Sequence, residues 1–96
     1  MMMSREQTVE NLKRKLDYWS SEIETIEKKA DKFDEERRKA AQQTLEDLRK
    51  QWDEAADALK ALKSASDDAF DDVRNGTKKA WDSMTESFDR AAKRYN

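Results

Sequence analysis

Residues 9–33 read VENLKRKLDYWSSEIETIEKKADKF, and the apolar residues Val9, Leu12, Leu16, Trp19, Ile23, Ile26, Ala30 and Phe33 return at alternating gaps of three and four. That spacing is the seven-residue repeat of a helix that buries one narrow stripe against another helix. The expected fold class is therefore all-α, and the chain is built for contact between helices.

Toward the start of the chain, Ser4 stands three residues before Gln7. This is the spacing of a capping box, in which the Ser4 hydroxyl accepts from the Gln7 amide and the Gln7 side chain accepts from the Ser4 amide. Met1, Met2 and Met3 then precede the helix. In the other direction the next in-register position is Arg37, and the stripe resumes one residue out of phase as Ala41, Leu45, Leu48, Trp52, Ala55, Leu59 and Leu62.

That slip permits two architectures. Ala30 and Leu48 are eighteen positions apart, about five turns of helix, so an unbroken helix over about 4–63, about 90 Å long, carries the stripe through. In the alternative, residues 31–39 form a turn, with Asp31 or Asp34 capping a second helix. No Gly, Pro, Asn or Ser lies in that stretch, which makes the continuous helix the expectation.

The clearest boundary is residues 64–68, where Ser64 and Ser66 are good N-cap residues ahead of an acid-rich turn. A reversal belongs here, followed by a helix over about 66–94. Asp67, Asp68, Asp71 and Asp72 sit where the positive end of the helix dipole favours carboxylates, and Lys93 and Arg94 sit near the other end. Its apolar face reads Ala69, Phe70, Val73, Ala80, Trp81, Met84, Phe88, Ala91 and Tyr95. Gly76 falls on that face, so its missing side chain is expected to admit a close approach of two helices. A kink at Asn75 and Gly76, with Thr77 as a fresh N-cap, is the other reading.

Folding the last helix antiparallel onto the second half of the long one pairs Leu45, Leu48, Trp52, Leu59 and Leu62 with Phe70, Val73, Gly76, Trp81, Met84 and Phe88. Leu12, Leu16, Trp19, Ile23, Ile26 and Phe33 are then left without cover in the same chain. Each such side chain contributes about 1.5–3 kcal/mol when buried, against about 5–15 kcal/mol for the net stability of a domain. A homo-oligomer is therefore expected, a dimer in the first instance, with these six residues at its interface. The turn at 31–39 gives instead a monomeric three-helix bundle.

Composition narrows the function classes. Ninety-six residues with 44% charged and 35% hydrophobic side chains make one helical domain over residues 1–96 with a thin core. The net charge of -2, with three Trp and three Phe largely in register with the stripe, sets the chain apart from disordered sequences. There is no proline and one glycine, so nearly all of it is expected to be helical.

No histidine and no cysteine are present, which removes the usual general base, the thiol nucleophile and the common zinc and di-iron ligand sets. No cofactor is expected and the chain is read as a non-enzyme. Charges interrupt every apolar run, so neither a signal peptide nor a membrane span is expected, and a cytoplasmic location is.

Three features invite functional readings and have structural explanations beside them. The group Asp67, Asp68, Asp71 and Asp72 lacks the spacing of a calcium loop, and the helix dipole accounts for it. Lys13, Arg14 and Lys15, or Arg37, Arg38 and Lys39, are short basic runs matched by acids four residues before them, as in Glu10 with Arg14 and Glu35 with Lys39. Such pairs belong to a solvated helix face, and no nucleic-acid partner is expected. Trp19, Trp52 and Trp81 lie on the stripe, as core or contact residues. The alternative is anchoring to lipid through the face of Phe70, Trp81, Met84 and Phe88, opposite Lys78, Lys79, Arg90, Lys93 and Arg94.

Two stretches, Leu16-Asp17-Tyr18-Trp19 with Glu22-Ile23, and Ser66-Asp67-Asp68-Ala69-Phe70-Asp71-Asp72-Val73 with Gly76, Ala80-Trp81 and Phe88, carry a likeness. Taken together, the chain resembles a group of small, largely uncharacterised bacterial coiled-coil proteins, some described as stress-inducible. Phe70 stands where that group usually has a second aromatic, often Trp. The resemblance implies a bacterial cytoplasmic helical protein and supplies no catalytic or ligand residues. The expected function is a self-assembling helical scaffold with a structural or protein-interaction role, in stress response if the resemblance holds. Peripheral binding of lipid or hydrophobic surfaces is the second reading.

Overall fold

Ser4 opens the first helix as the spacing predicts. Its hydroxyl accepts from the Gln7 amide at 3.2 Å, and its own amide donates to Gln7 Oε1 at 3.1 Å. The computed structural model describes residues 4–95, and the expectation for Met1, Met2 and Met3 lies outside the described residues. Within them the chain is all-α, with three helices: α1 (Arg5–Ala30), α2 (Glu35–Ser64) and α3 (Asp67–Tyr95).

The continuous helix over 4–63 does not form, and the chain reverses at residues 31–34. Helical hydrogen bonding persists to the edge of the break: Asp31 N donates to Glu27 O at 3.3 Å, and Lys32 and Phe33 donate three residues back, each at 3.1 Å. Asp34 is then extended (φ -64°, ψ 171°), and its carboxylate accepts from the Arg37 amide at 2.9 Å, capping α2. The force that turns the chain is tertiary. Phe33 stacks on Tyr95 of α3 with centroids 5.9 Å apart, and the Arg37 guanidinium lies 4.1 Å from the Phe33 ring centroid.

This reversal also corrects the premise of an uncovered stripe. Leu16, Trp19, Ile23 and Ile26 are buried within the same chain, while Leu12 and Phe33 are half-buried against the same core. From α2 the core takes Leu45, Leu48 and Leu59, with Trp52 half-buried beside them, and Leu62 is fully buried. At the second reversal α2 ends at Ser64, and Ser66 Oγ accepts from the Ala69 amide at 3.3 Å. The bundle measures 52 × 19 × 17 Å.

The α3 register differs from the expected one. Phe70, Trp81, Met84, Phe88, Ala91 and Tyr95 are buried, but Gly76 and Ala80 are exposed and Val73 is only half-buried. The seam runs instead through Phe70, Arg74, Thr77 and Trp81, at gaps of four, three and four. A Cβ placed on Gly76 meets nothing within 4 Å, and its φ is not positive, so close helix packing is not its role. Nor does α3 break there, since it is one helix through Asn75 and Gly76. Gly76→Ala is accordingly expected to stabilise the protein by about 0.5–1 kcal/mol, read from the midpoint of denaturant unfolding. A loss of stability would overturn this account of the glycine.

Candidate functional site

The polar break in the α3 seam produces the feature that sets one groove apart from the rest of the surface. Where Arg74 and Thr77 replace apolar residues, α3 loses apolar contact with α1 locally, and α1 with α3 has the fewest close backbone approaches of the three helix pairings. The Thr77 hydroxyl turns back to its own helix, donating to Arg74 O at 3.1 Å, and the Arg74 guanidinium pairs with Asp71 at 3.4 Å. A cleft of about 280 Å³ remains, mostly apolar on its walls. Leu12 and Trp81 line it from opposite helices, Thr8 and Thr77 narrow it, and Lys15, Arg74, Lys78 and Asp82 surround it. With Arg74 paired to Asp71, Lys15 and Lys78 beside Asp82 leave the rim with a small positive excess.

Trp81 is the centre of this arrangement. Its ring, 5% exposed, stacks on Trp19 with centroids 5.9 Å apart, and Trp19 stacks in turn on Phe88 at 5.3 Å. The Trp81 indole Nε1 is buried and has no hydrogen-bond partner among the described residues. A buried donor without an acceptor costs about 1–3 kcal/mol, so this is a polar demand that the fold leaves open. Trp52 shows the satisfied case, its Nε1 donating to Leu16 O at 2.8 Å. Gln51 Oε1, beside α3, is the other buried atom left without a partner among the described residues.

Other surface depressions are more polar. Two between α1 and α2 are bounded by Glu27 and Arg49, which form an ion pair across the gap. Tyr18, 61% exposed, is the one large hydrophobic side chain standing out among the described residues. The Glu22 carboxylate next to it is the main cause that holds its phenol above the ordinary value.

The residues singled out from sequence therefore fall into four groups, one of them the half-buried Phe33, Trp52 and Val73, with Leu62 joining the buried set. Leu16, Trp19, Ile23 and Ile26, expected at a subunit interface, lie in the core of one chain, as do Leu45, Leu48, Leu59, Phe70, Met84 and Phe88, expected in helix packing. Leu12 and Trp81 line the cleft. Gly76 is on the surface. Thr8, Lys15, Arg74, Thr77 and Lys78 were not anticipated as a group, although the spacing from Phe70 through Arg74 and Thr77 to Trp81 marks the polar break directly.

The acidic group at the start of α3 is already engaged in part, since Asp67 pairs with Arg5 at 2.9 Å and Asp71 with Arg74. Among the described residues, no group of three or more His, Cys, Asp or Glu is placed to hold a metal ion, and no helix is long and apolar enough to cross a membrane. Comparison with protein-family models, with curated proteins and with solved structures gives no match.

Proposed function

We propose that this chain is a non-enzymatic helical binding protein that takes up an amphiphile, an apolar chain with a carboxylate or phosphate head, at the cleft between α1 and α3. The observation that carries the reading is the pairing of Leu12 and Trp81 with a rim of Lys15, Arg74 and Lys78. An apolar chain laid over the half-buried Leu12, along the edge of the Trp81 ring, removes the remaining Leu12 surface from water, while the head group neutralises the rim. The Trp81 N–H is a buried donor left unpaired among the described residues, and an acceptor on a ligand seated beside the ring would answer it. A role in stress protection is an extension of this reading that rests on the resemblance to stress-inducible proteins.

Decyl phosphate, kept below its micelle-forming concentration, tests the reading against decanol, which has the same chain and no charge. Its addition is expected to move the Trp81 indole signal in a proton–nitrogen correlation spectrum, while the hydrogen-bonded Trp52 signal stays in place. Lys15→Gln with Lys78→Gln is expected to weaken binding about tenfold, the sum of two partly exposed ion pairs. Thr77→Leu, which fills the cleft from α3, is expected to abolish binding while raising thermal stability. Equal affinity for decanol, or an unmoved Trp81 signal at saturation, sinks the proposal.

A further inference from the structure

Beyond the cleft, we infer that a second copy of this chain can take the place of α1: the turn at residues 31–34 is a hinge, and its straightening yields a dimer in which the two copies exchange α1. The hinge is built almost entirely of helix-compatible backbone. It contains no Gly or Pro and no residue with positive φ, and Asp31 is already in the α region (φ -60°, ψ -23°). Helix-type hydrogen bonds run through Phe33, and α2-type bonding resumes with Arg38 N to Asp34 O at 2.8 Å. Asp34 is the extended residue between them. Rotation about Asp34 and its neighbour converts α1 and α2 into one helix and supplies acceptors to the amides at the start of α2.

The stripes are phased for both forms. Ala30 and Ala41, both buried, are eleven residues apart, close to three whole turns, so straightening leaves the α1 and α2 stripes on one face of a single helix. Folded at the hinge, that face closes on itself like a book. Opened, the α1 half presents Leu16, Trp19, Ile23 and Ile26, and the surface made by α2 and α3 of another copy matches them as its own does. Every contact of α1 with the core is then re-formed between chains, which is why exchange of an element is a low-cost route to dimers. What holds the closed form sits at the turn: the Asp34 cap and Arg37 over Phe33 within the segment, and the long-range stack of Phe33 on Tyr95.

The experiment uses the full chain with Ser20→Cys and Asp53→Cys, two positions facing the same depression between α1 and α2; the chain contains no other cysteine. The protein is spin-labelled, diluted with unlabelled chain, and refolded at high concentration. Size exclusion with light scattering then separates the 11.3 kDa monomer from a species of twice that mass. In the monomer the two helices are neighbours with axes about 10 Å apart. In the exchanged dimer the two positions of one chain are expected about 50 Å apart, at 1.5 Å per residue.

Asp34→Ala removes a cap used only by the closed form, twice per dimer, and is expected to raise the dimerisation constant about thirtyfold. A dimer that keeps the short distance overturns the inference, as does a chain that stays monomeric with Asp34→Ala after refolding at high concentration.

Discussion

Trp19→Ala is expected to remove about 3–5 kcal/mol of stability, the largest loss from a single substitution in this chain. Trp19 is 5% exposed and, among the described residues, is the only ring stacked on two others, Trp81 at 5.9 Å and Phe88 at 5.3 Å. It stands on α1 and both partners stand on α3, so its loss strikes the pairing that is already the least extensive. A bundle of this size has about 5–15 kcal/mol in all, so the variant is expected to unfold at a markedly lower urea concentration. Urea unfolding followed by circular dichroism measures the loss. Trp19→Phe, which keeps a ring at the site, should recover much of it. A penalty below about 1 kcal/mol would place the organising contacts elsewhere.

Arg5→Ala is expected to cost about 2 kcal/mol, far more than a surface arginine at the head of a helix normally contributes. The guanidinium donates to Lys63 O at 3.1 Å and to Ala65 O, and lies 5.0 Å from the Phe70 ring centroid. It also pairs with Asp67, but that carboxylate is 97% exposed, so the pair itself adds little. The carbonyl contacts matter more, because they satisfy groups at the α2 C-terminus, where the helix dipole favours a cation. One side chain of α1 thus closes α2 and leans on the first turn of α3.

Arg5→Lys is expected not to rescue, since an ammonium has no planar fork with which to reach two carbonyls while stacking on a ring. Amide hydrogen exchange supplies the discriminating readout. Protection should fall near Arg5, Lys63 and Phe70 and hold near Phe33 and Tyr95. Uniform loss along the bundle would mean that Arg5 acts on the fold as a whole.

Much of the fold is legible in residue spacing. The stripes of α1 and α2, the Ser4 capping box and the reversal before Asp67 follow from patterns that act within one or two turns. The break at Phe33 and Asp34 is not local in that sense. Nothing between Ala30 and Ala41 prevents a helix, and the eleven-residue spacing suits the straight and the folded chain equally. The stack that favours the folded form pairs Phe33 with Tyr95, sixty-two positions later, and no short window of sequence contains both.

The cleft was hidden for a different reason. Hydropathy draws the α3 seam through Val73, Gly76 and Ala80, whereas the buried path passes through Arg74 and Thr77. An arginine can cover apolar surface with its stem while its head stays wet, so polarity alone misplaces it. The neighbouring Phe70 and Trp81 fix the seam once both are counted as seam positions.

The odd number of helices has a mechanical consequence. Arg5 and Asp67 meet at one end of the rod, Phe33 and Tyr95 at the other, so α1 and α3 run parallel, and Arg5 and Tyr95 stand at opposite ends of a 52 Å body. Tension applied between those two residues drags α1 and α3 past each other along the bundle axis. In that shearing geometry the Trp19 stacks, the Arg5 clamp and the Phe33 stack carry the load together. Tension across a hairpin such as α1 with α2, pulled from its open end, would instead peel one layer at a time. The same bundle therefore resists when its contacts are loaded in parallel and yields when they are loaded one after another, depending only on where the pull is attached.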